Sequence, residues 1–169
     1  MAQITIVTNT LDTTKLDVIK AFDDKGNEAQ RPDNVTVQLQ RKTAKTAWID
    51  VAAQTKTIDI NKTDASFKAE FADLPKTELA TGDAYEYRAI ETKITYKTLI
   101  ILSHDVDAVT TDGGENGAVG AYTYTSSTLN GITSITNKME TVGVDVRKKN
   151  GLTKANIRLK HAPQPLIST

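Results

Sequence analysis

The chain has 169 residues, with 21 Lys and Arg balanced by 21 Asp and Glu and no cysteine. A neutral balance removes the summed field that draws proteins onto nucleic acid or an anionic membrane, and the missing thiols exclude disulfides and thiolate metal sites. The length suits one domain of about 100–150 residues with extensions, and the longest apolar run, Leu99 to Leu102, falls far short of the roughly 20 residues of a membrane span.

The first residues carry neither the basic nor the apolar region of a secretion signal. Residues 1–13 read as the end of a preceding repeat or a linker, and residues 14–140 as the domain. Within Lys15 to Phe22 the side chains alternate: Leu16, Val18, Lys20 and Phe22 share one face, Asp17, Ile19 and Ala21 the other. Period-two alternation of this kind marks a half-buried strand. Asn34 to Gln40 repeats it, with Val35, Val37 and Leu39 directed inward. Phe67, Ala69 and Phe71 open another strand, which Asp73-Leu74-Pro75 ends. Tyr85, Tyr87, Ala89 and Glu91 share the next face, and Ile135, Asn137 and Met139 a later one. No helical stripe of comparable length occurs, so short strands joined by turn-rich loops predict an all-β sandwich.

Between the last two strands, Asp105 to Gly117 reads as a loop on its composition, above all Asp-Gly-Gly-Glu-Asn-Gly at 112–117. Asp105, Asp107, Asp112 and Glu115 are weak calcium candidates there; their spacing is not that of an EF-hand, which favours a solvated acidic loop. His104 and His161 sit in no metal or triad motif, so no cofactor is expected. Leu74-Pro-Lys-Thr-Glu78 is similar to a sortase signal, but it ends in Glu and lacks the apolar segment and basic tail that would follow; it reads as a turn. Asn9–Lys20 aligns without a gap on Asn137–Lys148, an offset of 128 residues, and Asn156-Ile-Arg-Leu is similar to Asn34-Val-Thr-Val. Residues 141–169 therefore read as the start of a following repeat or a C-terminal extension, and the chain as a piece of a tandem array.

Three of the apolar faces each carry one polar residue: Lys20, Glu91 and Asn137. Singly, each has an ordinary explanation: a snorkelling lysine, a carboxylate at a strand end, a turn asparagine. Together they are complementary. Burial disfavours charge, pushing a lysine toward the neutral, nucleophilic amine and a glutamate toward the neutral acid. If the first and last strands are neighbours, the Lys20 amine can attack the Asn137 carboxamide while protonated Glu91 hydrogen-bonds the amide oxygen and relays protons to departing ammonia. The product is a side-chain amide, made once per molecule, so the chain is not expected to be a turnover enzyme.

Val18-Ile-Lys-Ala-Phe-Asp-Asp24, Arg31-Pro32 with Val35-Thr-Val-Gln-Leu39, Phe71-Ala-Asp-Leu-Pro75, Tyr85-Glu-Tyr-Arg-Ala-Ile-Glu91 and Ile135-Thr-Asn137 follow one another in an order and approximate spacing that resembles the collagen-adhesin B-type repeat domain of Gram-positive surface proteins. The resemblance implies a reverse-immunoglobulin, prealbumin-like sandwich with Greek-key connections. It also implies a stalk role in a cell-wall-anchored surface protein, and an isopeptide bond that maps onto Lys20 and Asn137 with Glu91 as the acid. Phe22 stands where the family commonly has tryptophan, and residues 93–117 are longer than the usual connection. The expected partners are neighbouring repeats, or, if the 93–117 insertion is a grafted binding loop, a host matrix protein or glycan; neither nucleic acid nor a membrane is expected.

Overall fold

The computed structural model describes residues 6–60, 66–97, 103–111 and 114–141. One compact unit spans Met1–Met139 and a second spans Glu140–Thr169; every element described here belongs to the first. Of the second copy of the internal echo only residues 137–141 are described, and residues 142–169 lie outside the described residues.

Among the described residues the regular structure is ten strands and one short 3-10 turn. The strands are β1 (Thr13–Asp23), β2 (Asn34–Lys42), β3 (Ile49–Asp59), β4 (Ser66–Pro75), β5 (Glu86–Lys97), β6 (Ser103–Asp107), β7 (Val109–Thr111), β8 (Asn116–Val119), β9 (Tyr122–Leu129) and β10 (Ile132–Met139). They form a six-stranded sheet ordered β4-β1-β10-β9-β8-β7 and a four-stranded sheet ordered β3-β2-β5-β6. The chain crosses between sheets from β1 to β2, returns from β3 to lie beside β1 as β4, and crosses again to place β5 beside β2. These connections give the all-β, immunoglobulin-like sandwich that the sequence predicts. No described helix is long and apolar enough to cross a membrane.

The inward stripes match the expected faces. Leu16 and Val18 of β1, Val35, Val37 and Leu39 of β2, Phe67 and Phe71 of β4, and Ile135 of β10 are all buried in one core. Burial of such side chains contributes about 25 cal/mol per Å² of apolar surface, which is the main force holding the two sheets together.

Two irregularities break the period-two pattern and set which residues face inward. In β4 the register against β1 shifts between Thr14 and Leu16, and Asp73 there adopts φ 54. Phe71 and Leu74, three positions apart, therefore both point into the core. Leu74 to Glu78 belongs to the fold as a turn: Lys76 N–H donates to Asp12 O at 3.0 Å and Glu78 N–H to Asp83 O at 2.8 Å. In β5 the register against β2 jumps so that Thr36 faces Lys93 while Val37 faces Glu91. The extra residue, Thr92, lets Ala89 and Glu91 point inward and then returns Ile94 to the interior.

The loop reading of Asp105 to Gly117 is corrected by the structure. β6 extends the smaller sheet by pairing Lys93–Lys97 with Ser103–Asp107, and β7 and β8 extend the larger one. Composition misled because two of the glycines serve close packing as well as turns: a Cβ on Gly117 would collide with the Tyr124 ring and the Val109 carbonyl.

Candidate functional site

Lys20, Glu91 and Asn137 come from three strands and two sheets, and the topology brings them together. β1 and β10 run parallel, with Lys20 opposite Ile135 and Phe22 opposite Asn137, so Lys20 and Asn137 lie on the same inward face two positions apart. β5 crosses them from the other sheet. It is tied there by the Ala89 N–H donating to Thr133 Oγ1 of β10 at 3.2 Å, and the bulge at Thr92 aims Glu91 between the other two.

All three residues are wholly buried, with 0 % exposure. Lys20 Nζ lies 3.5 Å from Glu91 Oε2 and donates to the Ala21 carbonyl at 3.0 Å. Asn137 Nδ2 donates to Glu91 Oε1 at 2.9 Å. The expected contact was to the amide oxygen; here the amide nitrogen, the prospective leaving group, faces the carboxyl. Asn137 Oδ1 and Glu91 Oε2 accept no hydrogen bond from any described residue. Both are acceptors while the carboxyl is ionised, and a proton on Oε2 would turn one of them into a donor. The walls are aromatic. The Phe22 ring lies 4.3 Å from Nζ and packs edge-on against Phe67 and Tyr122, while Tyr124 is paired across β9–β10 with Asn137.

Electrostatics follow from this dryness. Desolvation pulls the Lys20 amine from 10.5 down to about 8, against the opposing pull of Glu91. Desolvation likewise pushes Glu91 above the usual carboxylate range, although Lys20 and Asn137 both favour its ionised form. A fall from 10.5 to about 8 enriches the free amine at neutral pH by about 300-fold. The sign of the accompanying pH effect is fixed. A lysine whose folded value lies below its unfolded one binds fewer protons when folded, so stability rises with pH between the two values. In Asn137→Ala, which keeps Lys20 as an amine, urea unfolding is therefore expected to show stability climbing from about pH 8 to about pH 10.5, by roughly 3 kcal/mol. The climb is absent from Lys20→Met/Asn137→Ala; equal slopes in the two variants would contradict this assignment.

A second buried ionic group, not recognised from the sequence, flanks the site. Arg31 Nε and Nη2 donate to the Asp24 carboxylate at 2.5 and 3.1 Å, both residues are buried, and the guanidinium lies 5.3 Å from the centre of the outer part of the same aromatic wall, Phe22. Its one signal in the sequence was a carboxylate and an arginine bracketing a Lys-Gly turn just after the lysine strand.

The calcium candidates do not converge. Asp105 accepts from Lys93 Nζ at 2.9 Å and from Thr95 Oγ1 at 2.8 Å, Asp107 pairs in register with Lys93, and Glu115 lies 3.8 Å from Arg88. Asp112 lies outside the described residues. Among the described residues no cluster of three or more His, Asp or Glu that could hold a metal ion occurs.

The model of the Cna protein B-type domain matches residues 16–112, more than half of the chain. The chain belongs to the Cna protein B-type domain family. Membership makes it a structural domain of the stalk or spacer kind found in surface proteins, from a family that is not one of enzymes. The matched span contains Lys20 and Glu91 and stops before β8, β9 and the Asn137 strand. No curated protein shows significant similarity to the chain.

Proposed function

We propose that this domain is a stalk unit of a cell-wall-anchored bacterial surface adhesin that ties its own first and last strands together by an amide bond between Lys20 Nζ and Asn137 Cγ. The observation that carries the reading is the meeting of a buried amine, a buried acid and a buried carboxamide at 3.5 and 2.9 Å around Glu91. The neutral amine attacks Cγ, and the Glu91 acid, which lies against Nδ2, serves the departing nitrogen. The Cγ–Nδ2 bond then breaks, and a proton from the lysine nitrogen passes through Glu91 to the departing nitrogen, so that ammonia leaves and Glu91 ends as it began. One bond forms, one breaks, and no oxidant or cofactor takes part. The neighbours of such a unit are further copies in the same chain, in keeping with the echo between residues 9–20 and 137–148.

Intact-mass spectrometry of the denatured protein tests this. The mass is expected to fall short of the sequence mass by one ammonia, and proteolysis is expected to yield one branched peptide that joins the segments containing Lys20 and Asn137. A full sequence mass for folded protein would overturn the proposal.

A further inference from the structure

A groove lies at the far end of the strands from Lys20 and Asn137, and it does not depend on their reaction. β6 pairs with β5 only along Lys93–Lys97, and β8 pairs with β9 only along Asn116–Val119 and Tyr122–Thr125. Toward the start of β5 and the end of β9 the sheets lose those flanking strands. The opening is a cavity of about 500 Å³ whose walls include Glu86–Arg88 of β5 and Ser126–Thr128 of β9, with Trp48 and Lys42 at one side.

We propose that this groove binds a neutral saccharide. Trp48, the chain's only tryptophan, lines it with Tyr85 and Tyr87. Such rings offer flat apolar surface to the C–H face of a sugar while remaining at home beside water. The guanidinium of Arg88 lies against the Trp48 ring at 4.3 Å and that of Arg41 against Tyr85 at 4.6 Å, which fixes the rings in place. Arg88 is itself held by its Nε donating to Gln40 Oε1 at 2.9 Å.

The charges in the wall come as pairs. Lys42 meets Glu86 at 3.1 Å and Arg88 meets Glu115 at 3.8 Å, while Lys15 of the wall is paired outside it with Glu70 at 2.8 Å. Paired cations and carboxylates set donors beside acceptors with little net field. That pattern matches vicinal hydroxyls, each of which both donates and accepts. A polyanion would meet Glu86 and Glu115, and an apolar ligand would have to strip the ion pairs of water. The hydroxyls of Ser127 and Thr128 add further polar partners.

The single tryptophan makes the test direct, because indole emission from the intact chain reports on the groove alone. Neutral di- and trisaccharides built on galactose, glucose, mannose and N-acetylhexosamines are titrated into the whole protein. At least one is expected to shift Trp48 emission saturably at concentrations near about 1 mM. The midpoint should be unchanged between about 50 and about 500 mM salt, as a neutral ligand requires. Glu86→Ala, at an exposed carboxylate, is expected to weaken binding about tenfold with the fold unchanged by circular dichroism. A flat response to every neutral sugar overturns the proposal, as does a response confined to acidic sugars or short peptides, or binding that Glu86→Ala leaves intact.

Discussion

Lys20→Met is expected to restore the full sequence mass and to lower the thermal midpoint by about 15–20 °C. The substitution keeps the volume of the side chain and removes an amine that its surroundings disfavour in the charged form. Because Lys20→Met alone also leaves buried Glu91 without its partner, Lys20→Met/Glu91→Gln, which removes both members of the pair, is the control. A loss of stability that persists in this double variant comes from the missing cross-link. Closing a loop of about 100 residues restricts the unfolded chain by about 4–5 kcal/mol, and a domain of this size loses roughly 3–5 °C per kcal/mol. Asn137→Ala and Glu91→Ala should lack the bond as well. Differential scanning calorimetry beside intact-mass spectrometry checks both halves of the expectation. A Lys20→Met protein that melts with the parent would remove the link from the stability of the fold.

Asp24→Ala is expected to destabilise the domain by about 3–5 kcal/mol whether or not the cross-link forms. Arg31 is buried and its Nε and Nη2 both donate to Asp24, so the variant leaves a guanidinium in the protein interior without its carboxylate. Breaking one side of a buried pair is among the costliest single changes, whereas replacing both partners is far milder. Asp24→Ala/Arg31→Met should therefore recover most of the loss. Urea titration of the parent, the single and the double variant reads the difference, and a single variant no weaker than the double would show the pair to be dispensable.

The parts of this fold that could be read from the chain are those where one face is buried and the backbone is regular. β1, β2 and β10 show strict alternation, so their inward residues, Lys20 and Asn137 included, could be named from spacing, as could Glu91 on the regular part of β5 that precedes its bulge. Lys20, Glu91 and Asn137 stood out because polar groups on apolar stripes are conspicuous. What was not legible has physical reasons. β3 is an edge strand whose side chains are almost all exposed except Ile58, so no apolar stripe announces it. Leu74 and Ile94 reach the core only because bulges shift the phase of β4 and β5, and alternation carries no signal for an inserted residue. The strands β6 to β8 are rich in Asp, Gly and Asn, which read as turns, and their pairing is decided by strands distant in sequence. The Trp48 groove gathers residues from β1, β2, β5 and β9, and only the topology places them side by side.

The parallel pairing of β1 with β10 has a mechanical consequence. The chain enters the domain along one strand and leaves along its neighbour in the same direction, so tension applied to the two termini of the unit pulls these strands in opposite senses along a shared axis. The ladder from Asp17↔Ile132 to Asp23↔Lys138 is then sheared, with its hydrogen bonds loaded together, instead of being peeled apart one rung at a time. With the proposed bond between Lys20 and Asn137 in place, everything between them is bypassed. The stretchable contour shrinks to the few residues upstream of Lys20 and downstream of Asn137, and each such unit becomes nearly inextensible.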